Sequence, residues 1–341
     1  MSRRALLQLL LRLAVAAGLL WWVFQKALPE TEGDAWQLLL QAWKPEQAFE
    51  LGRPSPWWTL AGAVLVIGLG FALNALRFQG LLQATVGPAR WSKLWRAYLV
   101  AGFFNLILPG AILGDAYRVV DAKGLTGSGS RALGLVLVER LLGLSALGSI
   151  GLVCAPFLPL APLSEHGLGW LPMLLGASFL LGTLALLHPR SNALFVRLGA
   201  RLAPWAPRLS AAACNSLTQV GRMWGFPRVL LRTYLLSLVA QGLLVLSVWI
   251  LAQSLLDPVE WYWFPVIVPF VTLLSLAPIS IGAAGLREYL YVTLFGLVGM
   301  PAQSALALSL SLFGATLFWA LVGFVIYCAG GLTRERGAAH G

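Results

Sequence analysis

The chain has 341 residues, 59% hydrophobic and 11% charged, with a mean hydropathy of +0.79. That balance excludes an ordinary soluble domain and fits an all-α polytopic membrane protein. The net charge of +11 would suit nucleic acid, but the bases fall in alternate connections between apolar runs, so they set topology and no nucleic-acid partner is expected.

The first apolar run, Ala5–Phe24, follows Arg3 and Arg4 and is long enough to span, with no A-x-A-like cleavage site after it. The loop 25–56 carries Glu30, Glu32, Asp34, Glu46 and Glu50, and a short amphipathic helix is expected over Ala35–Trp43. A second span, Trp57–Leu76, closes on Asn74 and Arg77, where Arg77 is either an interface anchor or part of a site. Arg90, Lys93 and Arg96 come next, with no acid among them.

The segment Ala97–Leu113 ends in Asn105–Arg118, NLILPGAILGDAYR, where Pro109, Gly110 and Gly114 interrupt the apolar run ahead of Asp115 and Arg118. A long span, Ala132–Cys154, carries Glu139 and Arg140. After Leu168–Leu187, the connection His188–Arg232 holds seven arginines and no acid. Val229–Leu251 spans again, and Phe264–Ala277, Leu286–Gly299 and Ser304–Cys328 complete about seven to nine membrane segments.

Positive-rich connections are cytoplasmic, which puts both termini, 77–96 and 188–232 inside, in a bacterial inner membrane. The chain is then inside at residue 96 and again before 132, so 97–113 cannot cross once and end there. It is expected to be re-entrant, with a full crossing that returns within Asp115–Arg131 as the alternative.

A second broken stretch, Leu274–Tyr289, LSLAPISIGAAGLREY, stops at Pro278, passes Ser280, Gly282 and Gly285, and delivers Arg287 and Glu288. Broken helices survive at membrane depth only where protein or a wet cavity covers the freed backbone. The two stretches therefore read as walls of one polar site, and their positions in different halves point to an inverted repeat. Two unrelated loop breaks are the alternative.

Charges at bilayer depth cost roughly 2.5–3.5 kcal/mol each on insertion scales, so each needs a partner or a function. Glu139 and Arg140 are adjacent, point about 100° apart on a helix, and each should pair with another helix. Glu139 shares its face with Gly143 and Ala146, a sign of close helix contact. Asp115 and Arg118 have the i, i+3 spacing of a local pair, and Glu288 would favour the start of a helix beside a phosphate-seeking Arg287. The stripe Ala305, Ser309, Leu312, Thr316, Ala320, Gly323 reads as packing. Three Cys and three His are scattered, so neither a metal nor a cofactor is expected, and Walker A, H-E-x-x-H and G-x-S-x-G motifs are absent.

Taken in order, NLILPGAILGDAYR, LVLVERLLGL, LAPISIGAAGLREY and ALALSLSLF resemble the transmembrane, or flippase, region of lysylphosphatidylglycerol synthases, here as a freestanding member. The resemblance covers roughly 60–330. It implies two pseudo-symmetric helix groups around a polar cavity, and a domain 57–335 preceded by the first helix with its acidic loop and followed by the tail 336–341. It matches Pro109, Gly114, Asp115 and Arg118 to the first motif, Glu139 and Arg140 to the glutamate–arginine pair, and Pro278, Ser280, Gly282, Gly285, Arg287 and Glu288 to the last. Paired glycines of the family are replaced at Leu113-Gly114 and Ala283-Ala284, and an arginine near Leu312 is missing. The soluble aminoacyl transferase domain of the full synthases does not follow, so aminoacylation of lipid is not expected.

The resulting expectation is a lipid transporter, not an enzyme, moving a phospholipid or polyprenyl-linked anionic lipid. Its candidate binding residues are Arg77, Asn105, Asp115, Arg118, Glu139, Arg140, Ser280, Arg287 and Glu288. A scaffold for a partner synthase or glycosyltransferase, and a membrane enzyme on a lipid-linked substrate, are the alternatives.

Overall fold

The computed structural model describes residues 18, 21–22, 53–107, 112–157, 167, 169–201, 203–255, 259–276 and 285–338. All of the predicted first span except residues 18 and 21–22, the helix over 35–43, and Pro109, Gly110, Pro278, Ser280 and Gly282 lie outside them. The described residues contain eleven α-helices and no strand: α1 (Pro56–Thr85), α2 (Trp91–Ile107), α3 (Ile112–Thr126), α4 (Gly129–Cys154), α5 (Leu171–Leu187), α6 (Pro189–Ala200), α7 (Pro207–Arg222), α8 (Pro227–Ala252), α9 (Phe264–Leu274), α10 (Leu286–Leu297) and α11 (Ala302–Ala338).

Proline sets many of the boundaries. Pro56, Pro172, Pro189, Pro207, Pro227 and Pro265 each sit in a first turn, where the missing N–H has no intrahelical partner to lose. Pro189 also drives His188 to ψ 129°, and α6 turns 86° away from α5.

Four helices have the length and apolarity to cross a bilayer: α1, α4 with its extension to Phe157, α8, and α11 as far as Ala329. α5 passes the same test only together with α6, across a bend of 86°. The chain is a multi-pass membrane protein.

Hydrogen bonds fix the relative directions. Thr59 meets Ser254 at one end of α1 and Arg77 meets Ser237 further along it, so α1 and α8 run antiparallel. Ser145 bonds Thr183 and Phe179, which makes α4 and α5 antiparallel as well. Their closest approach is glycine on glycine: a Cβ at Gly176 would lie 2.4 Å from the Gly148 carbonyl oxygen. Small residues of this kind give apolar helices contact without a hydrophobic driving force.

The end of α1 and the start of α8 border one groove, and Ser130, just inside α4, accepts a hydrogen bond from Ser216 of α7. His188, past α5, rests on Trp224. These ends gather on one face, where the α6–α7 pair lies. From that face α2 runs inward and α3 returns along it, with Phe104 on Tyr117 and Arg118 on Tyr98. The 97–131 region is thus a helical hairpin that comes back to the face it left. Most of Asp115–Arg131 is the return helix.

On the opposite face the ends of α8, α9 and α10 share one apolar cluster with Leu255, Trp263, Phe264, Phe295 and Met300. Phe264 touches Phe295, so α9 and α10 form a second hairpin. The two hairpins open on opposite faces, the relation an inverted repeat has.

Candidate functional site

The second span does not close at Leu76 but continues to Thr85, so Asn74 and Arg77 lie within α1. Arg77 is 6% exposed. It faces a cavity of about 200 Å³ bounded by α1, α2, α3, α4 and α8.

The cavity contains an unbroken chain of alternating charges. Arg77 Nε donates to Glu139 Oε1 at 3.0 Å, and its Nη1 donates to Ser237 Oγ at 2.8 Å. The other carboxylate oxygen of Glu139 pairs with Arg118. Arg118 pairs through Nη1 with Asp115 Oδ1 at 3.3 Å, and Asp115 Oδ2 pairs with Arg140 Nε at 2.8 Å. The order is Arg77, Glu139, Arg118, Asp115, Arg140. Glu139 and Arg140 do pair with other helices, and Asp115 and Arg118 do form a local pair.

Helix geometry lets one element supply both ends of this chain. Neighbours on α4 diverge by about 100°, so Glu139 turns toward α1 and α3 while Arg140 turns to Asp115. The glutamate side chain is 1% exposed, that of Asp115 22% and that of Arg140 34%, so the site grades from dry to wet. Arg118 is also held by its surroundings: its guanidinium lies 4.0 Å from the Tyr98 ring centre and 5.0 Å from that of Phe78. Its buried Nε has no acceptor among the described residues.

Two glycines make the cavity possible. A Cβ at Gly143 would stand 3.1 Å from Arg77 Nη1, so the small face of α4 accommodates the guanidinium. A Cβ at Gly114 would fall 2.3 Å from the Ala101 carbonyl oxygen, and the Gly114 N–H donates to Asn105 Oδ1 at 2.9 Å. Asn105 thereby satisfies a donor in the first turn of α3, which has no intrahelical partner.

Among the described residues of the lining, three arginines face two carboxylates, beside the uncharged Asn74, Asn105, Gln241 and Tyr98.

Of the other broken stretch, the described Arg287 and Glu288 are not in the cavity lining and form a cluster of their own, so, contrary to expectation, these two side chains do not face the first site. Glu288, 2% exposed, accepts from the Gly285 N–H at 2.7 Å, where Gly285 has φ 81°. Its other oxygen accepts from Arg287 Nε at 3.1 Å and from Ser309 Oγ at 3.3 Å. Arg287 also lies 5.2 Å from the centre of the Phe313 ring. These neighbours bond each other because Glu288 turns back to cap its helix start, as its expected place implied. Ser309, read as packing, is a partner in this cluster.

Tyr98, Ser237 and Gln241 escaped the sequence reading. Ser237 and Gln241 stand four apart inside an apolar helix, and that spacing of polar residues on one face could have exposed them. Tyr98 has no comparable signal.

A larger cavity, about 430 Å³, lies on the other side of α4 against α5 and α8, and apolar side chains make up most of its lining.

The chain matches the family model described as "Lysylphosphatidylglycerol synthase TM region" over residues 9–323. Comparison with curated proteins and with solved structures gives no match. With the model spanning nearly the whole chain, and with its interrupted motifs forming hairpins, the protein belongs to the lysylphosphatidylglycerol synthase transmembrane-region family.

Proposed function

We propose that this protein carries an anionic phospholipid or polyprenyl-linked lipid between leaflets, with the phosphate held in the cavity between Arg77, Arg118 and Arg140. The observation that carries this reading is that three arginines face two carboxylates among the described residues lining the cavity. A phosphate would balance that charge, and the planar guanidinium suits it. Family membership supports a lipid as the source of the phosphate. Both carboxylates are engaged by arginines, which suits charge partners better than proton donors, so the reading is a transporter rather than an enzyme. Moving one charge exchanges about 2.3 kcal/mol per 100 mV, enough for the membrane potential to bias direction. The Arg-rich face carrying α6 and α7 is then cytoplasmic, in the inner membrane of a bacterium.

The test is a reconstituted flip assay with fluorescent anionic and zwitterionic lipids, on wild type and Arg140→Ala. Movement of the anionic class that the substitution stops is expected. Equal movement by both proteins would overturn the reading.

A second reading has one observation in its favour. Leu194, Trp205 and Leu209 on the α6–α7 region are 56%, 89% and 64% exposed, which suits a surface for a partner synthase or glycosyltransferase. If so, removing that region abolishes function while Arg140→Ala leaves it intact.

A further inference from the structure

We propose a second anion site in the groove between α1 and α8, on the face carrying α6 and α7, where a lipid phosphate docks before reaching the buried cavity. It rests on the transport reading for its role, though not for its existence.

The groove holds about 410 Å³ and is lined by Arg77, Gln83, Arg228, Arg232 and Thr233 together with small and aliphatic side chains. Among the described residues no carboxylate lines it. Arg228 and Arg232 are exposed and stand i, i+4, so one turn of α8 places both on the same side. The helix starts at Pro227, and its positive dipole end adds to the same field. Two exposed arginines, with the ion-paired Arg77 at the inner edge, around a space of this size fit a phosphate group flanked by apolar chain.

The position of Arg77 turns the groove into part of a route. Arg77 lines both the groove and the charged cavity, while its hydrogen bonds to Glu139 and Ser237 tie it to α4 and α8. A phosphate bound by Arg228 and Arg232 has Arg77 at the inner edge of its site. Exchange of partners at Arg77, from groove anion to cavity anion, needs no bare charge to cross hydrocarbon. The aliphatic walls supplied by Leu76, Val229 and Leu236 leave the acyl chains in an apolar setting during that exchange.

The experiment uses the full chain in detergent and native mass spectrometry, with phosphatidylglycerol and phosphatidylcholine added in turn and inorganic phosphate as competitor. The expected result is retention of phosphatidylglycerol over phosphatidylcholine, reduced about tenfold or more in Arg228→Gln/Arg232→Gln, the loss of two lipid-facing bases. Arg190→Gln/Arg208→Gln removes the same charge from α6 and α7 and controls for general attraction. Retention in the groove variant equal to wild type, or an equal loss in the control, would overturn the site. Displacement by millimolar phosphate with no preference for lipid would assign the site to free phosphate instead. The flip assay on the same proteins separates the two readings. Retention through Arg228 and Arg232 without any flipping removes the transport reading and leaves the site. Flipping by a groove variant that binds and moves lipid like wild type removes the site and leaves transport.

Discussion

The Glu139 and Glu288 clusters are built from the same residue types and differ in what they leave over. Around Glu139 one carboxylate serves two arginines, and a second serves the middle arginine and a third. Around Glu288 a single carboxylate meets a single arginine, a serine and a backbone N–H. Among the described residues the first has one arginine more than it has carboxylates, and a cavity beside it. The second is balanced one to one and its carboxylate closes a helix end. The first arrangement suits the recognition proposed for it, the second the fixing of a helix start.

The largest expected effect that would test this contrast comes from Glu139→Ala. It strands Arg77 and Arg118 in a dry site, and breaking a buried pair by removing one partner costs about 3–5 kcal/mol. Thermal unfolding in detergent should show the lowest midpoint of all the cluster variants, and a midpoint near wild type would break the account of the first cluster. Next is Arg118→Gln, which removes the unpartnered Nε and should lower anionic lipid binding about tenfold or more, the loss of one charge-assisted hydrogen-bonding partner. Binding unchanged in a folded variant would move recognition elsewhere.

Gly114→Ala should be smaller, about 1–3 kcal/mol, as overpacking usually is. The added methyl must push α3 from α2, so it should weaken lipid binding without any change of charge; wild-type unfolding and binding together would mean the hairpin contact is not tight. Ser309→Ala should be the mildest, about 1.5 kcal/mol, the low end for hydrogen bonds to charged groups because its bonds to Glu288 and Arg287 are long, with lipid binding unchanged. A tenfold binding loss there would show that the second cluster also recognises substrate and would erase the distinction.

Much of this was visible in the sequence, and the reasons are physical. Apolar length revealed the crossing helices, because a bilayer imposes one period of hydrophobicity and few charges. Alternation of basic connections required 97–131 to return, which the α2–α3 hairpin does. Charges inside apolar runs identified Asp115, Arg118, Glu139 and Arg140 because each needs a reason to be there. Sequence could not show that Arg77 lies inside a helix, since an arginine at the end of an apolar run looks the same whether it anchors or is buried. Nor could it tell that Arg287 and Glu288 stand apart from the cavity, because spacing along the chain carries no information about which helices meet.

The glycine contact between α4 and α5 has a consequence for motion. With the two backbones touching at Gly148 and Gly176, neither helix can rotate against the other without losing the contact or driving atoms together. Glu139 and Arg140 are thus mounted on a stationary post. Arg77 and Arg118 reach the same post from α1 and α3, joined to it by ion pairs rather than by interlocked backbones. Freedom to shift is therefore unevenly shared: backbone contact locks α4 to α5, while α1 and α3 meet the post through side chains alone at the charged site.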